Sequence, residues 1–212
     1  MDKNKLLSIN SSDRVLEIGP GGEPYPRSDV FLELEIADES ISLAQRGYQQ
    51  KLKTNKPVIY YNGKNFPFKD AEFDYVICSH VIEHVPDVEM FMKEMFRVAS
   101  RGYLAYPTIY YDYIYKINEH VNVLFKKGNT LYWMKQTEIG LDMFNKIRKF
   151  YHNATFKNYW VDGYQSLWTQ EFEWNSPFHI VHADNWELLT YNDDELDIIF
   201  PSKEKIITPE YK

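Results

Sequence analysis

A doubly wound α/β sheet followed by an antiparallel, aromatic-rich C-terminal cap is the architecture this sequence predicts. Three observations lead there. Short apolar runs ending in turn residues recur through the first half. Helix-spaced stretches separate several of them, as crossover connections between parallel strands require. After Pro107-Thr108 the pattern changes to hairpin-like pairs rich in Tyr and Trp. A chain of 212 residues suits one compact domain. Residues 1–212 are therefore expected to form a single unit, with a core over about 13–108 and a cap over about 109–212.

The elements follow in order. Arg14 to Ile18 is a short apolar run closing on a Gly/Pro turn, the form of a buried parallel strand. Asp29 to Leu34 is a second such run, and a helix is expected from Ile41 to Leu52. Val58 to Tyr61 and Phe73 to Cys78 read as the third and fourth strands. Val88 to Ala99 sets Phe91, Met95 and Val98 at spacings of four and three, which predicts an amphipathic helix. Gly102 to Tyr106 is the fifth strand. Beyond it, Val121 to Phe125 and Thr130 to Trp133 flank Lys127-Gly128-Asn129 and predict a hairpin. Glu138 to Phe150 reads as a helix. Phe172 to Trp174 and Phe178 to His182, on either side of Asn175-Ser176-Pro177, suggest another antiparallel pair.

Composition excludes several classes. Aromatic residues at 17% and hydrophobic residues at 44% are too abundant for an unfolded chain. No run approaches the roughly 20 apolar residues that span a bilayer, so no membrane span is expected. The first ten residues lack the apolar stretch of a signal peptide. The single Cys78 rules out a disulfide framework within the chain and a cysteine-clustered zinc site. A cytoplasmic location is the simplest expectation. With 24 Lys and Arg against 31 Asp and Glu, the formal charge of −7 weighs against nucleic acid as a partner. The densest basic pieces, around Lys51 to Lys56 and Lys146 to Lys149, read as solvated helix faces. Oligomeric state is not legible here.

Val15-Leu16-Glu17-Ile18-Gly19-Pro20-Gly21-Gly22 carries the strongest chemical signal. A strand ends in an acidic residue and enters glycines at the carboxyl edge, where open α/β sheets bind ligands. Glycines let a ligand approach the backbone. Alone, the run is equally consistent with a tight turn. A nicotinamide site would want a third spaced glycine opening a helix, which is missing.

Three further stretches tip that balance: Asn62 to Phe68, with Phe66-Pro67-Phe68 at its end; Phe73-Asp74-Tyr75-Val76; and Ser79 to Val85, which contains Glu83-His84. In this order, over about residues 13–108, the sequence resembles the type 11 group of class I S-adenosylmethionine-dependent methyltransferases. The resemblance implies a Rossmann-like core, S-adenosyl-L-methionine as cofactor and S-adenosyl-L-homocysteine as product. It implies that Glu17, Gly19, Pro20 and Gly21 line the methionine part and that Glu33 binds the ribose hydroxyls. Asn62 and Gly63 would contact adenine, with Phe66 packed near the ring. Ser79 and His80 would emerge beside the transferable methyl group.

Two departures stand out. The loop is Gly-Pro-Gly-Gly, and Glu23-Pro24-Tyr25-Pro26-Arg27-Ser28 runs almost directly into the second strand, so the usual intervening helix should be shortened or lost. This loop, with Phe172-Glu173-Trp174, resembles small methyltransferases associated with surface-polysaccharide synthesis. That resemblance implies O-methylation of a sugar hydroxyl in a glycan or glycoconjugate. Alternative acceptors are a small metabolite, nucleic acid or protein, and a non-catalytic cofactor-binding module is the remaining alternative.

A hydroxyl acceptor benefits from a general base, for which His is the commonest choice. His80 follows the fourth strand and is the expected base. His120, at the start of the hairpin, is a second candidate, and His84 reads first as an organiser of the strand-to-helix turn. The Tyr cluster (Tyr103, Tyr106, Tyr110, Tyr111, Tyr113 and Tyr115) suits a sugar face, but the favoured reading is aromatic packing in a strand and loop, with Tyr110 or Tyr111 left as candidates to face the acceptor. Trp133, Trp160, Trp168 and Trp174 read as cap core. No metal site is expected, since Asp112, Glu119 and Asp142 show no ligand spacing, and Asp193 to Asp197 reads as solvated surface.

Overall fold

The computed structural model describes residues 4–35, 52–115, 117–140 and 163–199. The helix expected from Ile41 to Leu52 lies almost wholly outside these residues. So do most of Glu138 to Phe150, the basic stretch around Lys146, and the positions of Asp142 and Trp160.

Apolar runs become strands where expected: β1 (Val15–Ile18), β2 (Val30–Leu34), β3 (Val58–Tyr61), β4 (Tyr75–Ser79) and β5 (Gly102–Pro107). They form one sheet in the order β3-β2-β1-β4-β5, all parallel. The order runs outward from β1 in both directions. The sheet is therefore doubly wound, and its switch point falls between the carboxyl ends of β1 and β4. No helix intervenes between β1 and β2. Residues 19–29 form turns instead, as the two prolines require.

Side chains alternate across the sheet. Val76 and Cys78 of β4 join Leu16, Ile18, Leu32 and Leu104 on one face. That face packs on α1 (Val88–Val98), through Phe91, Met92, Met95 and Val98. Asp87 caps this helix by accepting from Met90 N at 2.9 Å. Tyr75 and Ile77 face the other way with Val15, Tyr103 and Ala105, against Leu7, Ile9 and Tyr25.

The C-terminal half departs from the sequence reading in two places. First, Phe172-Trp174 and Phe178-His182 do not pair with each other. β8 (Thr169–Trp174) adds antiparallel to β5 and extends the main sheet. β9 (His179–His182) pairs parallel with the strand Thr130–Lys135. The hairpin of β6 (Asn122–Lys127) and β7 (Thr130–Lys135) forms as expected, and β6-β7-β9 is a second sheet. The reason lies in the side chains around the Asn175-Ser176-Pro177 link. Gly102 has no side chain, so β5 approaches β4 and Trp174 closely. A Cβ there would lie 2.3 Å from Val76 O and 3.0 Å from Trp174 Cζ2. The Trp174 and Phe178 rings then pack edge-on to Phe96 of α1, each at 5.1 Å.

Second, the tyrosine run after Pro107 is neither strand nor loop. It forms α2 (Ile109–Tyr115), with Ile109, Asp112 and Tyr115 buried at helical spacing. Thr108 anchors its start by donating from backbone N to Trp168 O at 2.8 Å. Short helices α3 (Gln136–Ile139), α4 (Gln165–Trp168) and α5 (Asp193–Ile199) complete the described elements, with 3-10 turns at Ile82–His84 and Trp186–Leu189. No helix among the described residues is long and apolar enough to cross a membrane.

One ionic clamp fixes the β3–β4 connection. Glu94 of α1 accepts from Phe66 N at 2.6 Å and from Arg97 Nε and Nη2 at 2.8 and 2.7 Å. Arg97 also donates to Phe66 O and Phe68 O, at 3.1 and 2.8 Å. Its guanidinium holds the Glu94 carboxyl below the ordinary value of 4.5. A carboxyl lowered on folding stabilises above its ordinary value, and that contribution is lost as pH falls through the lowered one. Arg97→Ala is therefore expected to cost roughly 2–3 kcal/mol at pH 7, because Glu94 loses its cation. Urea unfolding should show the difference from wild type narrowing below pH 4.5.

Candidate active site

The switch point gathers most of the residues singled out in the sequence. Gly19 leaves β1 with φ of 60° and donates its N–H to Leu32 O at 2.9 Å, which turns the loop across the end of β2. A Cβ at Gly19 would meet Val81 Cγ2 at 2.6 Å, so the glycine also admits the turn that follows β4. Pro20 behind it is buried, and Gly21 repeats the positive φ.

Glu17 is buried, and its Oε2 accepts from Tyr25 N at 2.9 Å and Ser28 Oγ at 2.7 Å. This carboxylate folds the proline-rich loop back onto β1, a task in addition to the cofactor contact expected of it. Burial is the largest influence on its carboxyl and raises it above 4.5, against the hydrogen bonds from Ser28 and Tyr25. Such a group stabilises most while protonated, and that contribution is lost as pH rises through the raised value. Glu17→Gln keeps an acceptor without the charge and is expected to unfold at neutral pH no more easily than wild type. Glu17→Ala leaves Tyr25 N unsatisfied and is expected to lose about 1–3 kcal/mol in urea unfolding at the same pH.

Glu33 is buried near the end of β2. Asn62 is exposed beyond β3, and its Oδ1 accepts from Lys64 N at 3.2 Å. Gly63 follows with φ of 80°. The Phe66 ring is only 3% exposed and packs edge-on between Tyr61 and Phe91, at 5.4 and 5.5 Å. The Glu94 bond to its backbone holds this segment against α1, with the ring in the core.

Ser79 ends β4, and its Oγ is a buried hydroxyl with no hydrogen-bond partner among the described residues. An orphaned hydroxyl at the switch point is what a polar ligand would satisfy. With the glycine turn and the acidic ends of β1 and β2 beside it, the donor set fits S-adenosylmethionine.

His80 is held in an unusual backbone conformation, φ 56°, with its N–H donating to Ala105 O at 2.9 Å. Its side chain is 46% exposed, and Nδ1 lies 3.4 Å from Glu83 Oε1. Glu83 itself is completely buried in the 3-10 turn. Burial opposes its ionisation most strongly, but His80, His84 and His120 together bring its carboxyl below 4.5.

His84 and His120 lie beyond it, their ring centroids 4.9 Å apart. His84 Nδ1 meets Glu119 O at 2.8 Å, and His120 Nδ1 meets Asp112 Oδ1 at 2.6 Å. Burial pushes the Asp112 carboxyl up, while for His120 the bond and charge of Asp112 overcome burial and raise the imidazole. Both directions keep a proton between the two. The sequence reading missed Asp112 and Glu83 as members of this group. A buried acidic residue on the apolar face of α2 was the available signal.

The tyrosines are mostly packed. Tyr103 and Tyr106 are fully buried, Tyr110 stacks on Tyr191 at 5.7 Å, and Tyr111 packs on Tyr115 at 4.8 Å. Tyr103 packs on the sheet face that carries Leu7, Ile9 and Tyr25, and the other three pack around β5 and α2, so the packing role read for them accounts for these four.

Comparison with known proteins gives the same assignment from a separate direction. Residues 16–106 match the family described as "Methyltransferase domain". A demethylmenaquinone methyltransferase of Anoxybacillus flavithermus is 26% identical over 160 residues, covering 69% of this chain and 65% of that protein. The chain thus spans slightly less than two thirds of that relative's length. An ajmaline N-methyltransferase of Rauvolfia serpentina is 34% identical over 70 residues, 32% of this chain and 24% of that one. Among solved structures, the YcgJ protein of Bacillus subtilis aligns with a TM-score of 0.37 and 22% identity, covering 51% of this chain and 54% of that one. Residues 16–106 are thus similar to a methyltransferase domain, a kind of domain whose cofactor, S-adenosylmethionine, suits the donor set at the switch point.

Proposed function

We propose that the protein transfers a methyl group from S-adenosylmethionine to a hydroxyl of a small acceptor, with His80 as general base. The observation that carries this reading is the placement of His80. It is a half-exposed imidazole fixed at the carboxyl end of β4, one residue beyond the orphaned Ser79 hydroxyl. Gly19, Pro20, Gly21, Glu17 and Glu33 would hold the cofactor on one side of the switch point, Asn62 and Gly63 the far end, and Ser79 the reacting end. When bound, the cofactor supplies an electrophilic methyl carbon on a sulfonium. The chain then has to orient the acceptor and take its proton.

Glu83 Oε1 facing His80 Nδ1 favours a proton on that nitrogen, which leaves Nε2 to accept one from the acceptor. His120 is the poorer base, since it is 8% exposed and already bound to Asp112. The acceptor we favour is a hydroxylated ring compound. A sugar hydroxyl, which the loop form suggested, is one member of that class. The names of the relatives point to small molecules, and the packed tyrosines leave little of a stacking platform for a glycan.

His80→Ala is expected to retain cofactor affinity within about twofold while turnover falls roughly 10²–10⁴-fold, as removal of a general base predicts. Calorimetry with S-adenosylhomocysteine and methyl-transfer assays read the two effects separately. Unchanged turnover would remove His80 from the mechanism. The acceptor class is tested by transfer of labelled methyl from S-adenosylmethionine to sugar glycosides, phenols and reduced naphthoquinones, RNA and a protein extract. Label in a low-molecular-weight hydroxyl compound is the expected outcome, and label confined to RNA or protein would overturn the acceptor assignment.

A further inference from the structure

The cluster next to His80 has a second property that methyl transfer does not use. One donor atom from each of Glu83, His84 and His120 lies within 4.8 Å of the others. We propose that these three side chains form a binding site for a divalent transition-metal ion of the zinc type.

The argument rests on the protons. Glu119 O can only accept, so His84 must carry its proton on Nδ1, and this leaves the Nε2 lone pair open. His120 likewise directs Nδ1–H at Asp112 and leaves Nε2 as its lone pair. An imidazole fixed by a backbone carbonyl or a carboxylate on its remote nitrogen is the usual outer support of a metal ligand. His84 Nε2 lies 3.9 Å from Glu83 Oε1. His80 Nδ1 approaches Glu83 Oε1 at 3.4 Å, but neither Glu83 oxygen receives a well-formed hydrogen bond among the described residues, although the side chain is only 1% exposed. A desolvated carboxylate that also has the Nε2 lone pairs of His84 and His120 beside it is better served when a cation joins all three.

The chemistry selects the ion. Two imidazoles and one carboxylate suit zinc and its first-row neighbours better than magnesium or calcium, which prefer all-oxygen sites. Zinc bonds of roughly 2.0–2.1 Å place ligand atoms about 3.4 Å apart, so the side chains need draw in by about an ångström or less. The backbone is already arranged for this. Val121 N donates to Glu83 O at 2.8 Å, and Asn122 Nδ2 donates to Ile82 O and Val85 O at 3.1 and 2.7 Å. These bonds hold the 3-10 turn against the strand that follows His120. Three protein ligands leave at least one coordination position for water.

The test needs neither cofactor nor acceptor, so it stands or falls separately from the methyl-transfer reading. The chelator-stripped protein would be titrated with Zn²⁺ by calorimetry and with Co²⁺ by visible absorption. One equivalent should bind, with cobalt d–d bands and a raised unfolding temperature in zinc. His84→Ala and Glu83→Gln should each weaken binding by at least about tenfold, and Asp112→Asn by about tenfold through His120. His182→Ala is the control, because that histidine sits on β9 with Glu138 at 3.0 Å. Circular dichroism identifies any variant that fails to fold, and the folded ones decide the matter. Absence of saturable binding to the wild type, or equal binding to a folded His84→Ala variant, would overturn the proposal.

Discussion

The buried carboxylate of Glu83 is the constraint around which the carboxyl end of β4 and its neighbours are arranged. A charge with no exposure must be compensated by its neighbours, and here they come from three separate stretches of chain. His80 reaches it from the end of β4, His84 from the 3-10 turn, and His120 from the segment after α2. The same residue's carbonyl receives Val121 N, so the turn and the second sheet are tied through backbone and side chain together. Moving any one of these elements would leave the charge stranded. The positive φ of His80 is kept by the same arrangement: its N–H is committed to β5 while its ring faces Glu83.

The five parallel strands and α1 were legible because their burial pattern is local. An apolar run of four or five residues ended by Gly, Pro or Asp reads the same in isolation as in the fold. The glycine turn and the acidic ends of β1 and β2 were legible for the same reason, since each sits within a single strand-loop unit. β8 and β9 were not, because a strand's partner is a long-range choice. Nothing in Phe172-Glu173-Trp174 says that its hydrogen bonds go to β5 and not to the next strand. That decision is made by Gly102, far away, whose missing side chain lets Trp174 lie close to the sheet.

The histidine cluster shows the other limit. Glu83-His84 reads as a turn and Asp112 as one acidic residue among tyrosines, and only folding brings them to His120. Phe66 is the opposite case. Its place in the order of sequence features suggested packing near the adenine ring, and what the sequence did not show is the Glu94–Arg97 clamp that sets the side chain in the core. Position in the sequence located the loop, and packing decided which way its side chain faces.

The antiparallel seat of β8 has a consequence for how the protein is made. β5 is buried along its whole length, and its outer edge is covered only by a strand that the ribosome delivers much later. Until Thr169–Trp174 emerges, a nascent chain carries an apolar strand with unsatisfied backbone groups on one side. The segment recognisable as a methyltransferase domain ends at residue 106, before that cover arrives. A fragment cut there would keep every residue proposed to hold the cofactor and still present a sticky edge to other chains. The boundary drawn by similarity and the boundary drawn by folding are thus different places in this protein, and expression of the first hundred or so residues alone should be governed by the second.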